Sequence, residues 1–174
     1  MKTIVILGMH RSSTSLLARS LHGECYLGSD EFLIPPAPDN PKGFYEDRRI
    51  VLFNDFLLNI LGCSWDNPRT FDVESIRYAK TETGQSIQEV AISILETMYS
   101  EAKDKTLAIK DPRMCLLIDF WYPLFKNPQV MCSFRDSMDI AKSLHLRNGM
   151  DIDKGIELTK YYNEKIKKFI DSIY

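Results

Sequence analysis

Apolar residues along this chain switch between two periods. Short runs rich in β-branched residues, at 3–7, 106–109 and 130–134, predict strands. Longer segments repeat their apolar residues every three or four positions, which predicts helices. The first helix spans about 13–22 and stops at Gly23; the second, about 46–61, carries Ile50, Phe53, Leu57 and Ile60 or Leu61 on one stripe and stops at Gly62. A third, about 84–101, shows Ile87, Ala91, Ile94, Leu95 and Met98 at helical spacing. Helices also follow at about 137–147 and 153–172. In the last of them Ile156, Tyr162 or Asn163, Ile166 and Ile170 face inward, while Lys160, Lys165, Lys167 and Lys168 mostly face water. Asp111 reads as an N-cap with Pro112 at the first helical position, so a short helix begins there. Residues 24–27 suggest a short extra strand, the four prolines of 29–42 enforce a loop, and 63–72 is irregular. Strands alternating with helices predict an α/β fold around a parallel sheet.

The length of 174 residues fits a single domain, 1–174, with a real core. A composition of 44% apolar and 26% charged residues at net charge −2 excludes a disordered, fibrous or nucleic-acid-coating protein. Cys25, Cys63, Cys115 and Cys132 are widely spaced and form no Cys-x-x-Cys pair, which reads as free thiols in a reducing compartment. The apolar run after Lys2 is broken by His10-Arg11, too early for a signal peptide, and no stretch reaches the ~20 apolar residues of a membrane span.

Each of the three clearest strands runs into polar groups at its carboxyl end, where open parallel sheets bind ligands. The first opens into Gly8-Met9-His10-Arg11-Ser12-Ser13-Thr14-Ser15. Gly8 permits a sharp turn, and the hydroxyls of Ser12, Ser13, Thr14 and Ser15 lie beside the free N–H groups of a new helix, whose dipole favours an anion. The spacing follows the P-loop frame, yet Ser13 replaces its second glycine and Thr14 its lysine, and Arg11 is the only cation inside the loop. Such a loop can hold phosphate but is ill suited to triphosphate–magnesium chemistry. The second strand ends in Lys110-Asp111-Pro112-Arg113 and the third in Arg135-Asp136. Ser143 follows on the next helix, on the face of Asp136, where it can grip one anion together with Arg135. Blander readings remain beside these: an Arg135–Asp139 ion pair, Asp111 as a cap, and Glu46 as a carboxylate suited to the first turn of a helix.

These motifs resemble those of the sulfotransferases that use 3′-phosphoadenosine 5′-phosphosulfate. Gly8–Leu17 is similar to their 5′-phosphosulfate loop, with Ser13 where the family has glycine, and Arg135-x7-Ser143 is similar to their 3′-phosphate motif. Lys110-Asp111-Pro112-Arg113 recurs there too, and Asn40-Pro41-Lys42-Gly43-Phe44-Tyr45-Glu46 resembles a stretch of bacterial-type members. The resemblance implies a three-layer, P-loop NTPase-like fold and transfer of a sulfuryl group to a hydroxyl or amine of a small molecule, sugar or lipid. It implies that Gly8, Arg11, Ser12, Ser13, Thr14 and Ser15 hold the phosphosulfate while Arg135 and Ser143 hold the 3′-phosphate. Lys110 would stabilise the leaving group and Glu46 would take the acceptor's proton, with His10 as the competing base. Phe44, Tyr45 and Trp65 would line the acceptor pocket, and His22 and His145 would be structural or exposed. No metal, nucleic acid or membrane anchor is called for, and a cytoplasmic location is expected. The family's later glycine-rich basic loop has no counterpart up to Tyr174, which leaves open a short subfamily, a longer chain or weaker nucleotide binding. Two rivals stay in view: a P-loop kinase of nucleotides or metabolites, and an inactive nucleotide-binding module derived from a sulfotransferase.

Overall fold

Four short strands, β1 (Thr3–Leu7), β2 (Cys25–Tyr26), β3 (Thr106–Lys110) and β4 (Pro128–Cys132), form one wholly parallel sheet in the order β2-β3-β1-β4. The coordinates are a computed structural model that describes residues 2–174. Among the described residues seven α-helices surround the sheet: α1 (Thr14–Leu21), α2 (Arg48–Ile60), α3 (Glu74–Arg77), α4 (Ile87–Ala102), α5 (Met114–Trp121), α6 (Ser137–Asn148) and α7 (Ile152–Ile173).

The alternation of side chains along the strands divides the core into two unequal halves. Ile6 and Ala108 face Ala18 of α1, with Ile4, Leu17 and Leu21 at the margin. Val5, Leu7, Leu107 and Ile109 face the larger half, built with Leu57, Leu95, Phe120, Trp121, Leu144 and Tyr162. Helices thus cover both faces of the sheet, and the α/β expectation holds. β1 and β3 are adjacent, but β1 leads into α1 on one face and β3 into α5 on the other. Their carboxyl ends therefore splay into a crevice of the kind in which parallel sheets bind ligands.

Several boundaries differ from the sequence expectation, each for a local reason. β4 starts at Pro128 and ends at Cys132, two residues earlier than the apolar run suggests, because it pairs with β1 from Thr3↔Pro128 to Leu7↔Cys132 and then runs out of partner. Phe134 consequently lies beyond the strand and is exposed. α2 begins at Arg48, since the Asp47 carboxylate accepts from the Arg49 amide and fixes the N-cap there. Glu46 is therefore outside the helix. Asp111 and Pro112 form a turn rather than the start of a helix: the Met114 amide bonds back to the Asp111 carbonyl, and α5 begins only at Met114. The four-residue α3 was not anticipated. α4 opens on a capping box in which Ser86 and Glu89 satisfy each other's backbone N–H groups. On α2, Ile60 proves exposed, its alternative Leu61 packs half-buried against the core, and Leu58 is buried as well.

α7 buries Gly155, Leu158, Thr159, Tyr162, Ile166 and Phe169; Tyr162 and Ile166 fall where expected, but the stripe is rotated away from Ile156 and Ile170, both only half-buried. Gly155 explains the rotation. A Cβ there would sit 2.9 Å from both Cα and Cβ of Ala141, so only a residue without a side chain lets α7 approach α6 so closely. The four cysteines are free thiols. No helix among the described residues is long and apolar enough to cross a membrane. Replacing Gly155 with alanine should lower stability by about 1–3 kcal/mol through overpacking against α6, measured by denaturant unfolding; an unchanged midpoint would show that the two helices can separate freely.

Candidate anion-binding active site

The loop between β1 and α1 is held from beneath. The Ser12 hydroxyl donates to the Met9 carbonyl at 2.6 Å, the Ser133 hydroxyl donates to the Ser12 carbonyl at 2.5 Å, and the Gly8 amide meets the Cys115 sulfur at 3.1 Å. Ser12 is buried and its hydroxyl points into the loop's own scaffold, so it supports the site instead of lining it. Gly8 is required for a reason other than a sharp turn. A Cβ would lie 2.5 Å from Thr14 Cγ2 and 2.7 Å from both Ser12 Oγ and the Ser133 carbonyl.

Above this support opens a cavity of about 440 Å³. Ser13, Thr14 and Ser15 line it, as do His10 and Arg11 from the same loop. Arg11 and Ser13 adopt positive φ, 68° and 71°. Left-handed residues at alternate positions mark a concave run of backbone N–H groups, and the amides that open α1 have no carbonyl one turn behind them. Both features favour an anion. Ser13, where the resembling family has glycine, thus adopts a conformation that glycine would take without strain.

β3 delivers Lys110 to the same cavity. Its ammonium is almost wholly withdrawn from solvent and donates to the Glu46 carboxylate, to the Phe44 carbonyl at 3.1 Å and to Ser15 Oγ at 3.2 Å. All three ammonium protons are used. Glu46 precedes α2 in a segment pinned from both sides. Its carbonyl accepts from the Ile34 amide at 2.9 Å, and the adjacent Asp47 is clamped by Arg49, which also grips Glu101. Burial raises the Glu46 carboxyl above its ordinary range; Lys110 opposes the shift and Asp111 adds to it.

The proline-rich loop closes one side. Asn40 donates to Ser15 Oγ at 3.2 Å and to the Gly43 carbonyl at 2.8 Å, while Arg11 reaches the Asp39 carbonyl at 3.0 Å. On the other side Arg11 Nε donates to Ser143 Oγ at 2.8 Å, and Arg135 reaches back to the Arg11 carbonyl at 3.3 Å. Arg135 and Ser143 therefore both meet Arg11 of the first loop; Arg135 lines the cavity, whereas Ser143 does not. The Arg135–Asp139 ion pair is also present, at 3.5 Å and exposed, so the two readings of Arg135 coexist. Ser143 is no filler, since its hydroxyl is the acceptor for Arg11.

Asp111 does not line the cavity. It is fully buried, accepting from Asn54 at 2.8 Å and from Arg113 at 2.9 Å, and Asn54 in turn accepts from the Trp121 indole at 2.7 Å. This chain of bonds fixes Arg113, which also pairs with Asp55, at the cavity wall. His10 is buried against Trp65, ring centroids 4.4 Å apart, and its Nε2 has no hydrogen-bond partner. Burial first, then Arg113, Arg147, Lys110 and Arg11, hold its pKa well below the ordinary 6.5, so the ring is neutral. Phe44 lines the cavity as expected. Tyr45 instead packs on His22, with ring centroids 5.6 Å apart, and Trp65 stands behind His10. His145 meets the Met150 carbonyl at 2.9 Å, away from the cavity.

Sequence reasoning missed Arg19, Asp39 and Arg147 on the wall. Arg147 was within reach of it, because it lies one helical turn beyond Ser143. No family model, curated protein or solved structure matches the chain.

Two outcomes are expected from this geometry. Ser13→Gly should raise stability by about 1 kcal/mol in denaturant unfolding by relieving the left-handed strain; a loss would mean the serine side chain holds the loop. The second concerns pH. Unfolded His10 takes a proton near 6.5 while the folded ring resists it, so its contribution is complete above that value and disappears as pH falls. Relative to His10→Phe, the natural chain should lose up to about 1.4 kcal/mol per pH unit below 6.5. Parallel stability–pH curves would show instead that the ring protonates freely in the folded state.

Proposed function

We propose that the chain is a sulfotransferase that moves a sulfuryl group from 3′-phosphoadenosine 5′-phosphosulfate to a hydroxyl or amine of a small molecule, sugar or lipid. The observation that carries the reading is the Lys110–Glu46 pair seated on Ser15 of the anion loop, with Arg135 and Ser143 at the loop's other edge. A sulfuryl donor with a 3′-phosphate has two anionic ends, and in this reading the loop with Lys110 takes one while Arg135 with Ser143 takes the other.

In the reaction the acceptor oxygen forms a bond to sulfur as the bond from sulfur to the bridging phosphate oxygen breaks. The electron pair of that bond stays on the phosphate, and the acceptor's proton passes to Glu46. Lys110 supplies a fixed cation where charge grows on the leaving oxygen, which is the strongest electrostatic aid such a transfer can receive. Because all three Lys110 protons are already donated, one of its bonds must give way to the donor. Exchange of the Glu46 bond for the leaving oxygen would both neutralise the phosphate and release Glu46 to act as base. His10 suits that role less well, because a ring held well below 6.5 is a weak base. The kinase reading has less support: Lys110 reaches the loop from β3, and no lysine stands inside the loop itself.

Calorimetric titration with 3′-phosphoadenosine 5′-phosphate, against ADP and AMP, tests the proposal. The 3′-phosphorylated nucleotide should bind at least tenfold more tightly than ADP, and Arg135→Ala should erase most of that preference while leaving ADP affinity within threefold. Equal affinity for the nucleotides would reject the proposal, and magnesium-dependent tightening by ATP would favour the kinase.

A further inference from the structure

Three of the cations on the cavity wall that are withdrawn from solvent have carboxylate partners. Arg11 has Asp39, Lys110 has Glu46, and Arg113 has Asp55 and Asp111. Arg147 is different. It is half-buried and lines the cavity, yet it makes no hydrogen bond or ion pair among the described residues. Asp39 and Glu46 act on it only from a distance, and both are engaged elsewhere, by Arg11 and Lys110.

Its guanidinium lies 5.2 Å from the centroid of the Trp65 ring, and the same indole carries His10 at 4.4 Å. The Trp65 indole thus touches both a cation without a counter-charge and a buried imidazole whose Nε2 has no partner, and both residues line the cavity. Either group alone is costly to leave so, and a cation taken from water without an anion is the more costly. An anionic ligand would supply the guanidinium's missing counter-charge, and a turn of the neutral His10 ring would bring its Nε2–H to the same anion. In the sulfuryl-transfer reading the donor nucleotide is assigned to the loop with Lys110 and to Arg135 with Ser143, which leaves this place to another ligand.

We infer that the acceptor carries an anionic group of its own, a carboxylate or a sulfate or phosphate ester, bound by Arg147 and His10 on the Trp65 side of the cavity. This rests on the sulfuryl-transfer reading and narrows its substrate class from any hydroxyl or amine compound to an acidic one. The anion would fix the acceptor's position while its nucleophile faces the Lys110–Glu46 pair. Repulsion between like charges would be relieved by the surrounding cations, which outnumber the carboxylates on the wall.

The test follows the His10 imidazole resonances by nuclear magnetic resonance with the chain saturated in 3′-phosphoadenosine 5′-phosphate. Inorganic sulfate and acetate are titrated in parallel. At least one should produce a saturable shift, and the tighter of the two identifies the group as a tetrahedral anion or a carboxylate. Arg147→Met, which keeps an apolar stem on Trp65, should weaken that binding at least tenfold and leave nucleotide affinity within twofold. Arg147→Lys should fall between the two, and it decides the matter if the methionine variant does not fold. The inference is overturned if neither anion moves the His10 signals, or if loss of the Arg147 fork leaves the anion's affinity unchanged. Failure of the nucleotide to bind would count against the sulfotransferase reading alone; the same Arg147 comparison on the nucleotide-free chain then decides the anion site.

Discussion

A lysine ammonium removed from water and the carboxylate that holds it tie the separate parts of this molecule together. Lys110 ends the inner strand β3, Glu46 precedes α2, and Lys110 also meets Ser15 of the loop that opens α1. Breaking such a pair by removing one partner typically costs about 3–5 kcal/mol, because the other charge stays buried without compensation. The pair itself adds little net stability over an apolar pair of similar shape. Its effect is on geometry: it fixes where the proline-rich segment crosses the cavity and holds a cation and a raised carboxyl within reach of one bound molecule.

The site is assembled at some conformational cost, and the scaffold absorbs it. Ser13 and Arg11 hold left-handed backbones that glycine would adopt more readily, and His10 keeps a buried ring nitrogen without a partner. Strain and unmet polarity of this sort persist only where neighbouring contacts fix the chain firmly. Here those contacts are the Ser12–Met9, Ser133–Ser12 and Gly8–Cys115 bonds below the loop, and the Asp111–Asn54–Trp121 chain beneath Arg113. The apolar core thus serves the site directly, since Trp121 is at once a central core residue and the end of a polar chain leading to the cavity wall.

Much of this was legible in the residues. The β-branched runs and helical stripes gave the strands and the longer helices, because periodicity reports which side of an element is buried. Lys110, Arg11, Thr14, Ser15, Arg135 and Glu46 do lie around one cavity, since parallel strands send their following loops to the same end of a sheet. Less legible were details that depend on a partner distant in sequence. β4 stops where β1 stops, α7 is rotated by the close approach of Gly155 to Ala141, and Ser12 turns inward to Met9. Tyr45 looked like a pocket residue but packs on His22, because its own backbone turns left-handed, at φ 57°.

What the sequence determined by itself was the alternation of strand and helix, the parallel sheet it entails, and which polar side chains gather at the strand ends. Local spacing suffices for that, because burial period and loop direction are properties of each segment alone. Tertiary structure decided which charges were already neutralised and which were not. Asp39 reaches Arg11 and Glu46 reaches Lys110, but no carboxylate reaches Arg147 among the described residues. Counter-charges are paired by distance in space, and no pattern along the chain records that distance.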